Sequence, residues 1–530
     1  MRGVTIELNR RIGLVYVPGA LPCFEDFGSL PTHIVEEDAR VDGKPASEAL
    51  DMLIVPGGSL VESGSVKAQL AKEITRLAET GGFVLGICAG FQVLANTTDV
   101  GRLSPTPIIR HGLGLLDADF APLICTDRVA ATVLGKSFLT NNVSGELTGF
   151  HCHTYGKITL GKEAKPILVS HVKRVNYRNA PQDIVSGVTN KDGNVVGILI
   201  HGLLDENPSI IESVRQSLDL SLEELEEIKE ANALLRAKLK SEVGISTGLK
   251  AKSKTQNFKR PAFLLFTATG SGTGKTFILT GLAGALKKQG YNVGVLKIGG
   301  DIRDIVPSFY LIKEPMKRYS SIKIGDSGWK PLNEVVEEVG QDYDLILIEG
   351  VMGAFTGLLN EEAEHPFSTV EVALAMGAPT VLVVNCEKNG IEGALASVLN
   401  HVEIMKELGI RTVGVVLNKV RLSYMNEKLK FFIKQVLEAQ GLSLLGIIPR
   451  MELEERGMIP EVEIKYEDFG ARALEAAERF LDVDQFVKSA APSRMTIVNF
   501  KDCLEKFKKL LLSSEKALST LKVEGDKKCS

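Results

Sequence analysis

The chain has 530 residues, of which 44% are hydrophobic, 24% charged and only 6% aromatic. That excludes a mostly disordered chain and a fibrous one, and at roughly 150 residues per domain it predicts three or four folding units or two large ones. The 62 Lys and Arg against 66 Asp and Glu leave a formal charge of −4, without the basic excess of a general nucleic-acid binder.

The seven cysteines are Cys23, Cys88, Cys125, Cys152, Cys386, Cys503 and Cys529, scattered with no CxxC pair. Neither a disulfide framework nor a zinc knuckle is indicated, and a reducing cytoplasm is the expected compartment. The first eleven residues are charged and lack the apolar stretch of a signal peptide. The longest apolar region, Val370 to Val384, is interrupted by Glu371 and Pro379 and reads as a helix followed by a buried strand, not a membrane span. Cys529 is second from the end, which does not fit a prenylation site. No internal repeat is present.

In chain order, short apolar runs at 11–19, 51–58, 81–90 and 194–202 each end in Gly, with a helical pattern at 65–80 between them. Continuous Val/Ile/Leu runs of this kind predict buried parallel strands. In such sheets ligands sit beyond the carboxyl ends of the strands. Cys88 stands at one such end, flanked by Gly86 and Gly90. A side chain on so sharp a strand-to-helix turn is thrust outward, and the helix N-terminus favours a thiolate and offers N–H groups to an oxyanion. Gly57 and Gly58 end an earlier strand and are placed to add a donor. His201 ends another strand, where it can serve as the base that a Cys nucleophile requires.

Cys88 on its turn, Gly57-Gly58, the 111–116 stretch HGLGLL and His201 together resemble the class I glutamine amidotransferase domain. The variant they resemble is that of cobyric acid and cobyrinate a,c-diamide synthases, and the resemblance covers roughly residues 10–215. It implies a flavodoxin-like glutaminase in which Cys88 forms a glutamyl thioester and His201 is its base. It further implies that Gly57, Gly58 and Ala89 hold the oxyanion, with Gln92 and His153 at the glutamine site. The family often has Glu where His151 stands. No acid follows His201 at the second position, as the common triad would have, and the diamide-synthase variant lacks it too. Three neighbours on a strand alternate faces, so His151, Cys152 and His153 do not make an easy metal site.

Ser221 and Glu224 form a capping-box pattern. Leu222, Leu225, Ile228, Leu235 and Leu239 then recur at helical spacing, which predicts an amphipathic helix of about five turns that docks on a domain. A short coiled coil is the alternative. The small, polar and basic stretch 244–260 reads as a flexible linker.

Further apolar runs at 261–270, 291–300, 343–350, 379–385, 412–419 and 442–450, with a helix at 276–289, predict a second α/β domain. The first run leads into a loop containing Gly270, Gly272 and Gly274, followed by Lys275 and Thr276. Such glycines let backbone N–H groups curl around phosphate, Lys275 reaches the β- and γ-phosphates, and Thr276 binds Mg²⁺. Thr269 stands where the strict Walker pattern has Gly. With that substitution the loop resembles the dethiobiotin synthetase and cobyrinate diamide synthase loop. Three further landmarks match in order: 297–304, carrying Lys297, Asp301 and Asp304; 348–353, carrying Glu349; and 416–419, where Asn418 occupies the strand end that meets adenine in this family. The resemblance spans about 261–480. Lys275 and Lys297 suit neutralising phosphate, while Thr276, Glu349 and Asp301 are hard oxygen ligands for the metal. Thr356 and Asn385 stand where the family usually has Asp. The ATP domain comes first in the familiar diamide synthases and second here. Beyond it, Phe500, Leu504, Phe507, Leu510 and Leu511 predict a helix for docking or oligomerisation, and the tail after Lys522 is expected to fray.

The expected architecture is two separate parallel-sheet α/β domains plus a helical extension. The boundaries are 1–218 for the glutaminase, 219–260 for the helix and linker, 261–483 for the P-loop NTPase and 484–530 for the extension. The resemblance implies a ligase that uses glutamine, ATP and Mg²⁺ to amidate a tetrapyrrole carboxylate, with no nucleic-acid or membrane partner and compatible with a homo-oligomer. Alternatives are cobyric acid synthase or nickel-sirohydrochlorin diamide synthase activity. A different class is a P-loop ATPase switch with a non-catalytic glutaminase-like domain.

Overall fold

The computed structural model describes residues 8–245, 249–251, 261–340, 342–362, 364–387, 389–451 and 465–512. Most of the expected linker and the whole tail after Lys522 lie outside them. The chain forms two compact units. The first holds the described residues up to Ala251 together with Val306–Lys317 and 465–472. The second holds the described parts of 261–305, 318–451 and 473–512.

Every apolar run read as a strand is a strand. In the first unit four of them lie parallel, in the order Val195–Ile198, Phe83–Ile87, Met52–Val55 and Ile12–Val15, and His33–Val35, which was not among those runs, adds a fifth parallel strand at the edge. Residues of Ile12–Val15, Met52–Val55 and Val195–Ile198 are all buried, as strands covered on both faces must be. The sheet then continues with five more strands, of which only Ile200–His201 falls in a run read from the sequence. Arg178–Thr189, Lys165–Val175, Arg128–Val133, Leu147–His151 and Ile200–His201 extend it in antiparallel fashion. Their inner and outer residues partly alternate between buried and exposed, so they lack the continuous apolar signature. This half sets the position of His201, which pairs in register with Phe150.

The helix Leu222–Lys240 starts with the expected reciprocal cap. Ser221 Oγ accepts from Glu224 N at 3.1 Å, and the Glu224 carboxylate accepts from Ser221 N at 2.8 Å. Leu225 and Ile228 enter the core of the first unit, and Asn232 Nδ2 donates to the Pro31 carbonyl at 2.7 Å. Leu222 stays exposed. The helix therefore docks on its own unit. Ser221→Ala should lower the unfolding free energy by about 1 kcal/mol, the usual cost of losing such a cap, as a lower midpoint in urea denaturation with unchanged slope.

The second unit is a parallel sheet in the order Ser321–Ile322, Val293–Ile298, Leu345–Glu349, Ala262–Ala268, Thr380–Asn385, Thr412–Val420 and Ser443–Pro449. Ala491–Pro492 adds an antiparallel bridge to Ala262 and Phe263. Residues 500–512 are helical, and Phe500, Cys503, Phe507 and Leu510 join this unit's core. The extension thus docks on its own domain, although Leu511 remains exposed. No helix of the described residues is long and apolar enough to cross a membrane.

One segment departs from the boundaries expected from sequence. The helix Val306–Ile312 has every residue buried and groups with the first unit. Its Leu311 carbonyl accepts from Gly244 N at 3.0 Å, and Met316 N donates to the Phe24 carbonyl at 2.8 Å. A helix with almost no polar face goes where it can be covered, whatever its place in the chain.

Candidate functional site

Cys88 occupies a backbone conformation with φ 52° and ψ −107°, and caps the helix Ala89–Leu94. A non-glycine residue held at positive φ is strained, and such strain gathers at functional turns. The turn closes only because its neighbours are glycines. A Cβ on Gly90 would lie 1.9 Å from the Val55 carbonyl oxygen, and one on Gly86 would lie 2.7 Å from the Gly90 backbone. The first N–H groups of the helix, beginning at Ala89, have no acceptor within it. Gly57 is wedged beside the pair: a Cβ there would meet His201 Cε1 at 2.8 Å and lie 3.6 Å from both Cys88 Cβ and His201 Nε2. Gly58, at φ 138°, instead faces Gly19, where a Cβ would lie 2.0 Å from the carbonyl oxygen.

Cys88 and His201 are both buried and stand side by side against Gly57. The Cys88 thiol also faces the Cys152 carbonyl at 3.6 Å. Phe24 stands edge-on to the His201 ring at 5.0 Å, and Phe150 stacks on it at 5.4 Å. Burial alone would lower the His201 pKa, but its interactions with Cys88 and Glu25 prevail and raise it to about 10. Gln92 lies one turn along the helix, with Nε2 donating to the Tyr155 carbonyl at 3.1 Å. His153 and His151 meet edge to face at 4.8 Å, their Nδ1 atoms directed at the Leu123 and Leu199 carbonyls. Burial, with the neighbouring His153, pushes the His151 pKa well below the usual imidazole value, which keeps it neutral.

Glu25 was not among the residues singled out by sequence. Its Oε1 accepts from His201 Nδ1 at 2.8 Å and its Oε2 from Gly202 N at 2.7 Å. It lies 176 residues away in the chain, in a loop with no motif, and only the fold brings it to His201.

In the second unit, Gly272 at φ 71° and Gly274 at φ 89° shape the loop ahead of the helix Lys275–Lys288. A Cβ on Gly274 would lie 2.3 Å from Asn418 Nδ2. Asn418 braces the loop: Nδ2 donates to the Thr273 carbonyl at 2.7 Å and Oδ1 accepts from Lys419 N at 2.9 Å. Thr269, the Walker-position variant, donates its N–H to the Val383 carbonyl at 3.3 Å, and a Cβ added at Gly270 would meet nothing within 4 Å.

Lys275, Lys297 and Glu349 are buried together. Lys275 Nζ donates to the Met352 carbonyl at 2.6 Å. Lys297 Nζ lies 2.7 Å from Asp304 Oδ2 and 3.7 Å from Glu349 Oε1. Thr276 Oγ1 donates to Glu349 Oε1 at 2.6 Å. Burial lowers the Lys275 pKa, and the nearby Lys297 charge adds to that effect. Burial would also lower Lys297, but Glu349 and Asp304 outweigh it and raise its pKa above the ordinary value. Glu349 is raised by burial, against the pull of Lys297.

The remaining Glu349 oxygen, Oε2, is buried and has no hydrogen-bond partner among the described residues. A free carboxylate oxygen beside the Thr276 hydroxyl fits a hard divalent cation. Among the described residues no group of three or more His, Cys, Asp or Glu stands ready to hold a metal. Such sparse protein ligation suits Mg²⁺, which keeps waters and phosphate oxygens in its shell. Asp301 is less directly placed: its carboxylate grips Arg303 with both oxygens, at 2.9 and 2.8 Å. Thr356 packs close to Gly353 in the loop facing Gly270, and Asn385 Oδ1 accepts from Glu387 N at 2.8 Å.

Residues 11–209 match the family described as the CobB/CobQ-like glutamine amidotransferase domain, and residues 264–460 match the CobQ/CobB/MinD/ParA nucleotide binding domain. Hydrogenobyrinate a,c-diamide synthase of Mycobacterium tuberculosis is 32% identical over 228 residues, 41% of this chain and 46% of that protein. Cobyrinate a,c-diamide synthase of Streptococcus sanguinis is 29% identical over 233 residues, 43% of this chain and 49% of the relative. The corresponding protein of Methanocaldococcus jannaschii is 29% identical over 269 residues, 48% of this chain and 57% of the relative. The chain thus spans about half the length of the curated relatives it matches. The cysteine turn and the phosphate loop each fall inside a matched region, so the chain carries a CobB/CobQ-like glutamine amidotransferase domain followed by a CobQ/CobB/MinD/ParA-type nucleotide-binding domain.

Proposed function

We propose that this chain is an ATP-driven carbon–nitrogen ligase that takes nitrogen from glutamine and amidates carboxylates on a tetrapyrrole. The observation that carries the reading is the presence in one chain of two complementary sites. One is a strained, buried Cys88 paired with His201. The other is a phosphate loop with Lys275, Lys297 and Glu349 buried together. The substrate class is taken from the names of the relatives, which are diamide synthases of cobyrinate and hydrogenobyrinate.

Cys88 Sγ attacks the side-chain carbonyl of glutamine, and His201 holds the thiol proton. The oxyanion forms beside the Ala89 N–H and Gly57, in a site closed by Phe24 and Phe150. His201 returns its proton to the leaving nitrogen, ammonia departs, and water cleaves the thioester to glutamate. At the second site Lys275 and Lys297 neutralise the phosphates of ATP, and a substrate carboxylate oxygen takes the γ-phosphoryl group to give an acyl phosphate and ADP. Ammonia displaces phosphate from that acyl group and forms the amide. Thr276 and Glu349 would hold Mg²⁺, which supplies charge neutralisation at the phosphates when bound.

Mass spectrometry of cobyrinic acid after incubation with the full chain, ATP, Mg²⁺ and amide-¹⁵N-glutamine tests the reading. Two labelled amides per product are expected. ATP turnover without any labelled product would overturn the corrinoid substrate.

A further inference from the structure

We propose that Glu25 is the positioning residue of the glutaminase site, holding the His201 ring in the orientation and protonation state that Cys88 requires. This rests on the amidotransferase reading of Cys88 and His201. In the common class I arrangement an acid two residues beyond the His does this work, and here that position is Leu203, fully buried in the core.

Both Glu25 oxygens are fixed. One takes the His201 Nδ1–H at 2.8 Å and the other the Gly202 N–H at 2.7 Å. The carboxylate and the ring are each 2% exposed. An acceptor on Nδ1 leaves Nε2 as the atom that exchanges a proton with sulfur, and Nε2 is the atom on the Gly57 and Cys88 side.

The loop that carries Glu25 is itself anchored. Arg236 donates to the Glu25 carbonyl at 3.0 Å and pairs with Asp26 at 2.5 Å. Asp205 accepts from Asp26 N at 2.8 Å and Gly28 N at 2.6 Å. Anchors on both sides of one carboxylate are the arrangement that keeps a proton-transfer pair in geometry.

The groups that bear on His201 are Glu25 from this loop, Cys88 from the helix start and the neutral His151 from the adjacent strand. Asp205 acts at one remove, through Glu25. The raised imidazole contributes stability that is fully present below its ordinary value and is lost as pH rises toward about 10. Removing the Glu25 charge should therefore bring the loss to lower pH.

The test combines two measurements on the full chain, wild type against Glu25→Gln and Glu25→Asp. The first is an NMR titration of the His201 imidazole in histidine-labelled protein, assigned with His201→Asn. The wild-type midpoint should lie well above the usual histidine range. Glu25→Gln should lower it by about one unit or more, and Glu25→Asp should keep it high. An unchanged midpoint in Glu25→Gln overturns the proposal. If Glu25→Gln does not fold, an Asp variant that titrates as free imidazole does so instead.

The second is the glutaminase pH profile. Glu25→Gln should lower kcat/KM for glutamine by about 10²-fold or more and move the alkaline limb to lower pH, with ammonia-dependent amidation retained. A profile and kcat/KM equal to wild type also overturn the proposal. Wild-type protein that fails to hydrolyse glutamine would defeat the amidotransferase reading, while the titration still decides the Glu25 contact.

Discussion

If the chain is the proposed ligase, Cys88→Ala should abolish glutamine-dependent amidation and leave amidation with free ammonia within about twofold of wild type. A uniform loss with both nitrogen donors would mean general damage, so the split between donors carries the information. The expectation follows from where the residue sits. Its side chain is on a turn held by close contacts at Gly86 and Gly90, and alanine leaves both glycines in place. In the proposed reaction the sulfur alone forms the covalent bond to glutamine, and the remaining elements of that site cannot replace it. Steady-state assays with glutamine and with ammonium at equal ATP decide the matter. Ammonia use lost in parallel would remove the separate role assigned to the cysteine. In a P-loop switch with a non-catalytic glutaminase-like domain, ATP turnover would be unaffected and there would be no glutamine use to lose.

Lys275→Ala gives the opposite pattern. Amidation should fall by about 10²–10³-fold with either nitrogen donor, the usual cost of removing one preorganised donor to developing charge. Hydrolysis of glutamine at Cys88 should persist. Lys275 is buried beside Lys297 and Glu349, and its loss leaves Glu349 with less positive charge to face. Arginine should not restore activity, since a planar guanidinium does not fit a space shaped around an ammonium. Paired assays of ATP-dependent amidation and of glutaminase check this. Equal loss of both activities would place Lys275 in the general stability of the chain, outside phosphoryl transfer.

The two experiments divide the chemistry as the motifs divide the chain. The cysteine turn and the phosphate loop were both legible because each is local. Gly86, Cys88 and Gly90 lie within five residues, and Gly270 to Thr276 within seven. Backbone conformation over so short a span is set by glycine's access to positive φ and by the close approach it allows. Helix 222–240 was legible for the same reason, since a capping box and a 3.6-residue period are nearest-neighbour properties.

Other features were not local. The antiparallel half of the first sheet has strands whose residues partly alternate in burial, a pattern that short polar stretches imitate. The helix Val306–Ile312 belongs to the first unit although sequence assigned it to the second. The sequence pattern also does not show that the Asn418 amide braces the phosphate loop through the Thr273 carbonyl.

What the sequence by itself determined is therefore the chemical inventory: a cysteine on a turn, a histidine at a strand end, a glycine-rich loop ahead of a helix, and two α/β domains of continuous apolar strands. What only the tertiary structure decided is which groups meet. Glu25 reaches His201 across 176 residues, and Lys297 meets Glu349 from the end of a neighbouring strand. Such meetings depend on strand order and on burial, which act between segments distant in the chain. A one-dimensional pattern records neither.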